Sequence, residues 1–178
     1  MCGIAGLIHR GKSSNVGEEL QHMLQALKHR GPDSTGYALY ADNDGQNFIL
    51  RFKVGENVGE GSTSVNEDES VYNERKKSVD KKLSELGALV VKEEKLTPYS
   101  YRYEIKFDKD LMDFSKAIES IPSVEILSIG KSLELIKDLG DATVVSERYG
   151  LNKVQGTHGI GHARMATESG VDIKSAHP

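Results

Sequence analysis

Cys2, the only cysteine in this 178-residue chain, stands directly after the initiator methionine. Met1 is usually removed when the next side chain is small, and we expect the Cys2 α-amine then to lie beside its own thiol. A free α-amine has a pKa of about 7.7–8.0 and a thiol one of about 8.5, so a proton passes readily between them near neutral pH. This residue can therefore supply both a nucleophile and its base. A lone cysteine is more often a small buried apolar residue, and that alternative stays open at this point.

Two further clusters combine charged side chains with glycine, at residues 29–34 (HRGPDS) and 161–167 (GHARMAT). The guanidinium of Arg164 has the fork geometry that binds a carboxylate through two hydrogen bonds, whereas an isolated arginine is usually a surface charge. Arg30 and Asp33 follow a predicted helix. They are consistent with helix termination and a local ion pair or Asx turn, or with a place in a site.

Strands and helices must position these clusters. The apolar run 3–9 predicts a strand, and leucines spaced three and four apart in 17–28 predict an amphipathic helix that ends before Pro32. Residues 35–41 and 48–54 flank a turn-rich segment and predict a β hairpin. The last cluster is expected on a strand, 157–167, that leads into a polar loop.

The sequence between these parts differs in composition from the parts that flank it. Residues 55–66 predict a loop, and a helix-strand-strand-helix-strand-strand order follows over 67–137. Asp141 is placed to cap a short helix that runs to Tyr149, with Gly150 after its end. This order predicts a small α+β unit inserted into another domain. We therefore expect one domain formed by 2–54 and 151–178, and an insertion formed by 55–150.

Composition excludes several classes of protein. The formal net charge is −4, and the lysines are interleaved with acidic residues, which argues against a nucleic-acid surface. One cysteine cannot form an internal disulfide, and no apolar run is long enough for a signal peptide or a membrane span. We therefore expect a cytoplasmic protein that binds neither nucleic acid nor membrane.

Taken together, the three clusters resemble those of the class II glutamine amidotransferases, members of the N-terminal-nucleophile hydrolase superfamily. Residues 161–169 (GHARMATES) are similar to the amidotransferase subunit or domain of glutamate synthase and its N-methylglutamate synthase relatives. Residues 124–130 (VEILSIG) and 137–140 (KDLG) resemble a segment that precedes the arginine motif in those proteins. The first two clusters also resemble asparagine synthetase, an alternative that the third cluster disfavours.

The resemblance implies an α+β fold, the αββα sandwich of N-terminal-nucleophile hydrolases, incomplete at the C-terminus and carrying a small α+β insertion. It implies that Cys2 hydrolyses glutamine to glutamate and ammonia and that Arg164 binds the α-carboxylate. Thr167 is expected to add a hydroxyl there, and Arg30 to stabilise the thiolate. His162 and His177 are expected to be structural, because the terminal amine carries the protons. Neither a metal nor a cofactor is expected in this chain.

The family also implies partners. Ammonia is expected to pass to glutamate synthase-type subunits that carry flavin and iron–sulfur groups. The Asn-Gly pair that forms the oxyanion hole in this family, and a later Asp for the substrate amine, would lie beyond Pro178. We therefore expect a further segment or a second chain to complete the site. The alternative is a catalytically inactive subunit with a binding or assembly role.

Overall fold

The computed structural model describes residues 2–31, 33–43, 45–55 and 68–165. Over these ranges the chain is a mixed α+β protein with two antiparallel sheets and four α helices, which confirms the α+β class expected from the sequence. The helices are α1 (Val16–Ala26), α2 (Glu69–Leu86), α3 (Leu111–Glu119) and α4 (Ala142–Tyr149). The strands are β1 (Gly3–Ile8), β2 (Ser34–Ala41), β3 (Phe48–Lys53), β4 (Leu89–Thr97), β5 (Ser100–Lys106), β6 (Glu125–Gly130), β7 (Leu133–Leu139) and β8 (Gly156–Arg164). No helix within the described ranges is both long and apolar enough to cross a membrane.

Contacts between residues divide the described chain into two compact units, each with its own sheet. The first unit contains residues 2–31, 33–42 and 132–165, and the second contains residues 43, 45–55 and 68–131. The domain ranges expected from the sequence, 2–54 with 151–178 and the insertion 55–150, stay a prediction.

The sheet of the first unit has the strand order β1-β8-β2-β7, and each neighbouring pair is antiparallel. Helix α1 packs on β8 and β1, and α4 packs on β2 and β7. The two helices also contact each other, so they cover the same face of this sheet. Leu20 and Leu24 of α1 are fully buried, and a Cβ added at Gly161 of β8 would lie 2.4 Å from the Leu24 side chain. Glycine at this position therefore lets the helix approach the strand closely.

The opposite face of this sheet, called here the outer face, is apolar and exposed in part. Ile4, Ile8 and Ile160 are 70%, 76% and 48% exposed. A cavity of about 680 Å³ opens on this face, and Tyr40 lines it with its ring stacked on His158 at a centroid distance of 3.9 Å. Large apolar side chains in one patch mark a surface that other protein structure usually covers.

The second unit runs β3-α2-β4-β5-α3-β6 along the chain, and its sheet has the order β4-β5-β3-β6. Strands β3 and β4 both pair antiparallel with β5, which lies between them. This βαββαβ order with a strand inserted into the first β-α-β crossover is the split arrangement of ferredoxin-like folds. Its core mixes aliphatic and aromatic residues, and Phe52, Tyr101 and Tyr103 pack together there with buried residues of α2 and α3.

The expected hairpin between residues 35–41 and 48–54 is wrong. Strand β2 pairs with β8 and β7 in the first unit, whereas β3 pairs with β5 and β6 in the second. Likewise β7, which follows β6 after two residues, pairs with β2. Alternating apolar residues identify a strand and its buried face, but they do not identify its partner, because partners far along the chain satisfy the same pattern.

Asp141 caps α4 as its sequence position predicted. Its carboxylate accepts hydrogen bonds from the backbone N–H groups of Thr143 (3.0 Å) and Val144 (3.1 Å), and Gly150 ends the helix with a φ of 64°. The Lys28 ammonium also lies 2.7 Å from this carboxylate. Burial alone would raise the pKa of Asp141, but the bonds from Lys28 and from the first N–H groups of α4 outweigh it and leave that pKa lowered.

We expect Asp141→Ala to lower the free energy of unfolding by about 1–2 kcal/mol at pH 7, because α4 loses its cap and Lys28 its partner. The folded-state pKa is depressed, so this contribution is present above the unfolded pKa near 4 and is lost as pH falls through the folded value. Urea unfolding at pH 7 and below pH 4 measures both effects. Asp141→Asn is the matched control, since it keeps a capping oxygen. A loss at pH 7 that is equal in the two variants would contradict the capping role.

Candidate active site

The thiol candidate lies at the start of β1 and the guanidinium candidate at the end of β8. Gly3 pairs with Ala163 in the antiparallel ladder between these strands. Continuing that register by one residue places Cys2 opposite Arg164. Side chains directly opposite each other on neighbouring strands have Cβ atoms about 4.5–5.5 Å apart. The fold therefore brings the two ends of the described chain to adjacent positions.

Both side chains belong to the outer face. Ala163 is buried on the side that carries α1, as is the position of Gly161. Side chains alternate along a strand, so Arg164 points to the outer face, and Cys2 shares that face with the exposed Ile4. Cys2 is exposed and Arg164 is half-buried. A thiol and a guanidinium thus occupy neighbouring positions at one end of the sheet.

The HRGPDS cluster packs against this same strand end. A short 3₁₀ turn, Lys28–Arg30, is followed by Gly31, where an added Cβ would lie 2.5 Å from the carbonyl carbon of Arg164. The backbone N–H of Asp33 donates to the Arg164 carbonyl at 3.1 Å. The ion pair between Lys28 and Asp141 ties the turn to the start of α4. These contacts place the exposed Arg30 next to the end of β8.

The structure therefore brings together three of the four predicted site residues, Cys2, Arg30 and Arg164. Thr167 and His177 lie outside the described residues. His162 is buried and lies two residues before Arg164 on β8, opposite Ile4 and Gly36.

One residue at this strand end was not predicted to have a role. Ser34 opens β2 and pairs with Arg164 from the side opposite Cys2, with its side chain fully buried. The sequence placed this serine in the HRGPDS cluster, but only the strand register reveals that it neighbours Arg164.

The chemistry open to this site follows from its groups. Arg30 and Arg164 bring positive charge to the strand end, which favours the binding of a carboxylate. Among the described residues, no three His, Cys, Asp or Glu side chains form a group that could hold a metal ion. The arrangement is suited to attack by a thiolate on a substrate that carries an anionic group.

Comparisons with known proteins point to glutamine amidotransferases. Residues 1–48 match a family model described as a glutamine amidotransferase domain, a range that includes Cys2, Arg30 and Ser34. The whole chain is 34% identical to a putative glutamine amidotransferase of Methanothermobacter thermautotrophicus, of which it covers 56%. It is 31% identical over its whole length to a glutamine amidotransferase-like protein of Rhizobium meliloti, of which it covers 54%.

A shorter match covers 32% of the chain. Over these 56 residues the chain is 36% identical to a glutamine–fructose-6-phosphate aminotransferase of Pyrobaculum aerophilum, of which it covers 9%. The chain spans about half the length of the first two relatives. These matches confirm the resemblance to glutamine amidotransferases; its finer assignment to a class and to glutamate synthase stays a prediction.

We expect Gly31→Ala to loosen the contact between the HRGPDS turn and β8, because the new methyl group meets backbone atoms that cannot move aside. Hydrogen exchange at the Asp33 amide, which donates to Arg164, should accelerate by about tenfold or more. Gly11→Ala is the control: no atom lies within 4 Å of its added Cβ, although its φ of 74° costs about 1–2 kcal/mol. Equal acceleration in both variants would show that Gly31 is not held by this contact.

Proposed function

We propose that this chain is the nucleophile-bearing part of a class II glutamine amidotransferase, which hydrolyses glutamine to glutamate and ammonia. The observation that carries the proposal is the β1–β8 register, which sets Cys2 beside Arg164 on one face. The match of residues 1–48 to a glutamine amidotransferase domain supports it independently.

The proposed reaction uses Cys2 twice. After removal of Met1, the Cys2 α-amine accepts the thiol proton, and the thiolate attacks the side-chain amide carbon of glutamine. The carbon–nitrogen bond then breaks, and the protonated amine returns its proton to the departing ammonia. Water hydrolyses the resulting thioester, which releases glutamate and restores the thiol.

The spacing of the two side chains suits this substrate. In an extended glutamine the amide carbon and the carboxylate carbon are about 5 Å apart. The Cβ atoms of residues directly opposite each other on adjacent strands have a similar separation. With the amide carbon at Cys2, the α-carboxylate comes within reach of the Arg164 guanidinium, which can bind it through two hydrogen bonds. We assign Arg30 to stabilising the thiolate and Thr167 to a further hydroxyl contact with the substrate.

We also propose that the first unit is one half of an αββα sandwich. Helices α1 and α4 cover one face of its sheet, and the outer face exposes Ile4, Ile8 and Ile160. A second sheet packed on this face would bury them and close the cavity. Either a further segment of this protein or a second chain would bring that sheet, together with the oxyanion-hole donors. Loss of one such donor costs about 100- to 1,000-fold in rate, so the described part alone should be slow.

The ammonia acceptor is proposed from the motifs in the sequence. The GHARMATES run supports a glutamate synthase-type partner with flavin and iron–sulfur subunits. An asparagine synthetase-type amidotransferase is the weaker candidate for this chain. A catalytically inactive subunit with a binding or assembly role is the alternative from a different class of protein, and the activity of Cys2 separates it from the enzyme.

We expect the wild-type protein to form a covalent adduct with a glutamine-analogue diazoketone at an N-terminal Cys2, located by mass spectrometry. Cys2→Ala should abolish the adduct and lower glutamate release by about 1,000-fold or more, because the nucleophile is gone. Turnover unaffected by Cys2→Ala would refute the amidotransferase proposal. Fast Cys2-dependent turnover by the 178-residue chain would show instead that the site needs no further segment.

Substituting the arginine should separate substrate binding from chemistry. We expect Arg164→Gln to raise the half-saturating concentration of the diazoketone by about 10- to 100-fold, since two charge-assisted hydrogen bonds to the carboxylate are lost. The limiting rate of adduct formation should change much less. Arg10→Gln, a change of the same kind at an exposed position after β1, is the control. An unchanged half-saturating concentration in Arg164→Gln would place the carboxylate elsewhere.

A further inference from the structure

The hydroxyl of Ser34 is buried without a hydrogen-bond partner among the residues that the structure describes. A buried hydroxyl that forms no hydrogen bond is unfavourable, because it has given up its bonds to water. Such a group in a folded protein needs an explanation. Its neighbours supply one.

Ser34 lies on the same face as Arg164. Hydrogen bonds of two later residues of β2 identify the face of the sheet to which each side chain points. The Thr35 hydroxyl donates to the Gly140 carbonyl at 2.8 Å, and the Tyr37 hydroxyl donates to the Ala142 carbonyl at 2.7 Å. Both side chains point to the side that carries α4. Alternation along the strand then turns Ser34 to the outer face, where it pairs directly with Arg164.

A guanidinium that binds a carboxylate through two hydrogen bonds has further N–H donors. It carries five N–H groups, of which a two-pronged contact uses two. The Nε–H group lies nearer the strand than the two terminal nitrogens. With Cβ atoms about 4.5–5.5 Å apart across the strand pair, this N–H can reach the Ser34 oxygen.

We propose that Ser34 is a positioning residue for Arg164: its Oγ accepts a hydrogen bond from Arg164 Nε–H when the guanidinium turns to bind the substrate carboxylate. This inference rests on the proposed glutaminase function. It gives the buried hydroxyl a partner in the ligand-bound state. It also makes the orientation of Arg164 depend on a residue that never touches the substrate.

The test measures adduct formation with the glutamine-analogue diazoketone as a function of its concentration. Ser34→Ala should raise the half-saturating concentration by about 5- to 20-fold and leave the limiting rate within about twofold. Ser34→Thr keeps the hydroxyl and should stay near wild type. Ser146→Ala is the matched control, since its hydroxyl is also buried in α4 without a partner among the described residues.

Two further measurements separate positioning from a structural role. Ser34→Ala should unfold at the same urea concentration as Ser146→Ala, because neither hydroxyl has a hydrogen-bond partner in the part of the chain that the structure describes. In an Arg164→Lys background, Ser34→Ala should have no further effect on the half-saturating concentration, because lysine has no Nε–H donor at that position.

Each outcome is decisive. An unchanged half-saturating concentration in Ser34→Ala would overturn the inference alone, as would the same increase in both arginine and lysine backgrounds. Unfolding of Ser34→Ala at a clearly lower urea concentration than Ser146→Ala would show a structural role instead. No adduct with the wild-type protein would overturn the proposed function and this inference together.

Discussion

The pairing of β8 between β1 and β2 is the interaction on which the candidate site depends. Each of these pairs is an antiparallel ladder, and the register is set along the whole of β1 from Gly3 to Ile8. A slip by one residue would turn Arg164 to the helix face and Ala163 to the outer face. Burial of Ala163 against α1 makes that slip costly, so packing under the helix also sets the orientation of the arginine.

A second constraint acts on the backbone at the same place. Gly31 contacts the end of β8 so closely that no side chain fits, and the Asp33 amide donates to the carbonyl of Arg164. Lys28 extends this hold to the cap of α4 through Asp141. The site thus rests on strand ends and a turn that backbone contacts hold together, with the Lys28–Asp141 ion pair as an added side-chain link.

The second unit has a hydrophobic core of its own. Its core, which includes Phe52, Tyr101 and Tyr103, lies between the four-stranded sheet and the helices α2 and α3. The long helix α2 exposes charged residues to solvent. The sequence predicted its helices and most of its strands because their apolar residues recur with a clear period, and Gly87 marks the end of α2. It did not predict that β3 belongs here, since β3 pairs with strands that begin some fifty residues or more later.

The sequence by itself predicted most of the local elements and the resemblance to glutamine amidotransferases. Leucine spacing predicted α1, Asp141 and Gly150 predicted α4, and Cys2 with the two arginine clusters predicted an amidotransferase. Only the tertiary structure decided which strands pair, and therefore that Cys2 and Ser34 flank Arg164 on one face. The reason is physical: side-chain periodicity reports which face of an element is buried, whereas the partner that buries it is chosen by long-range packing and register.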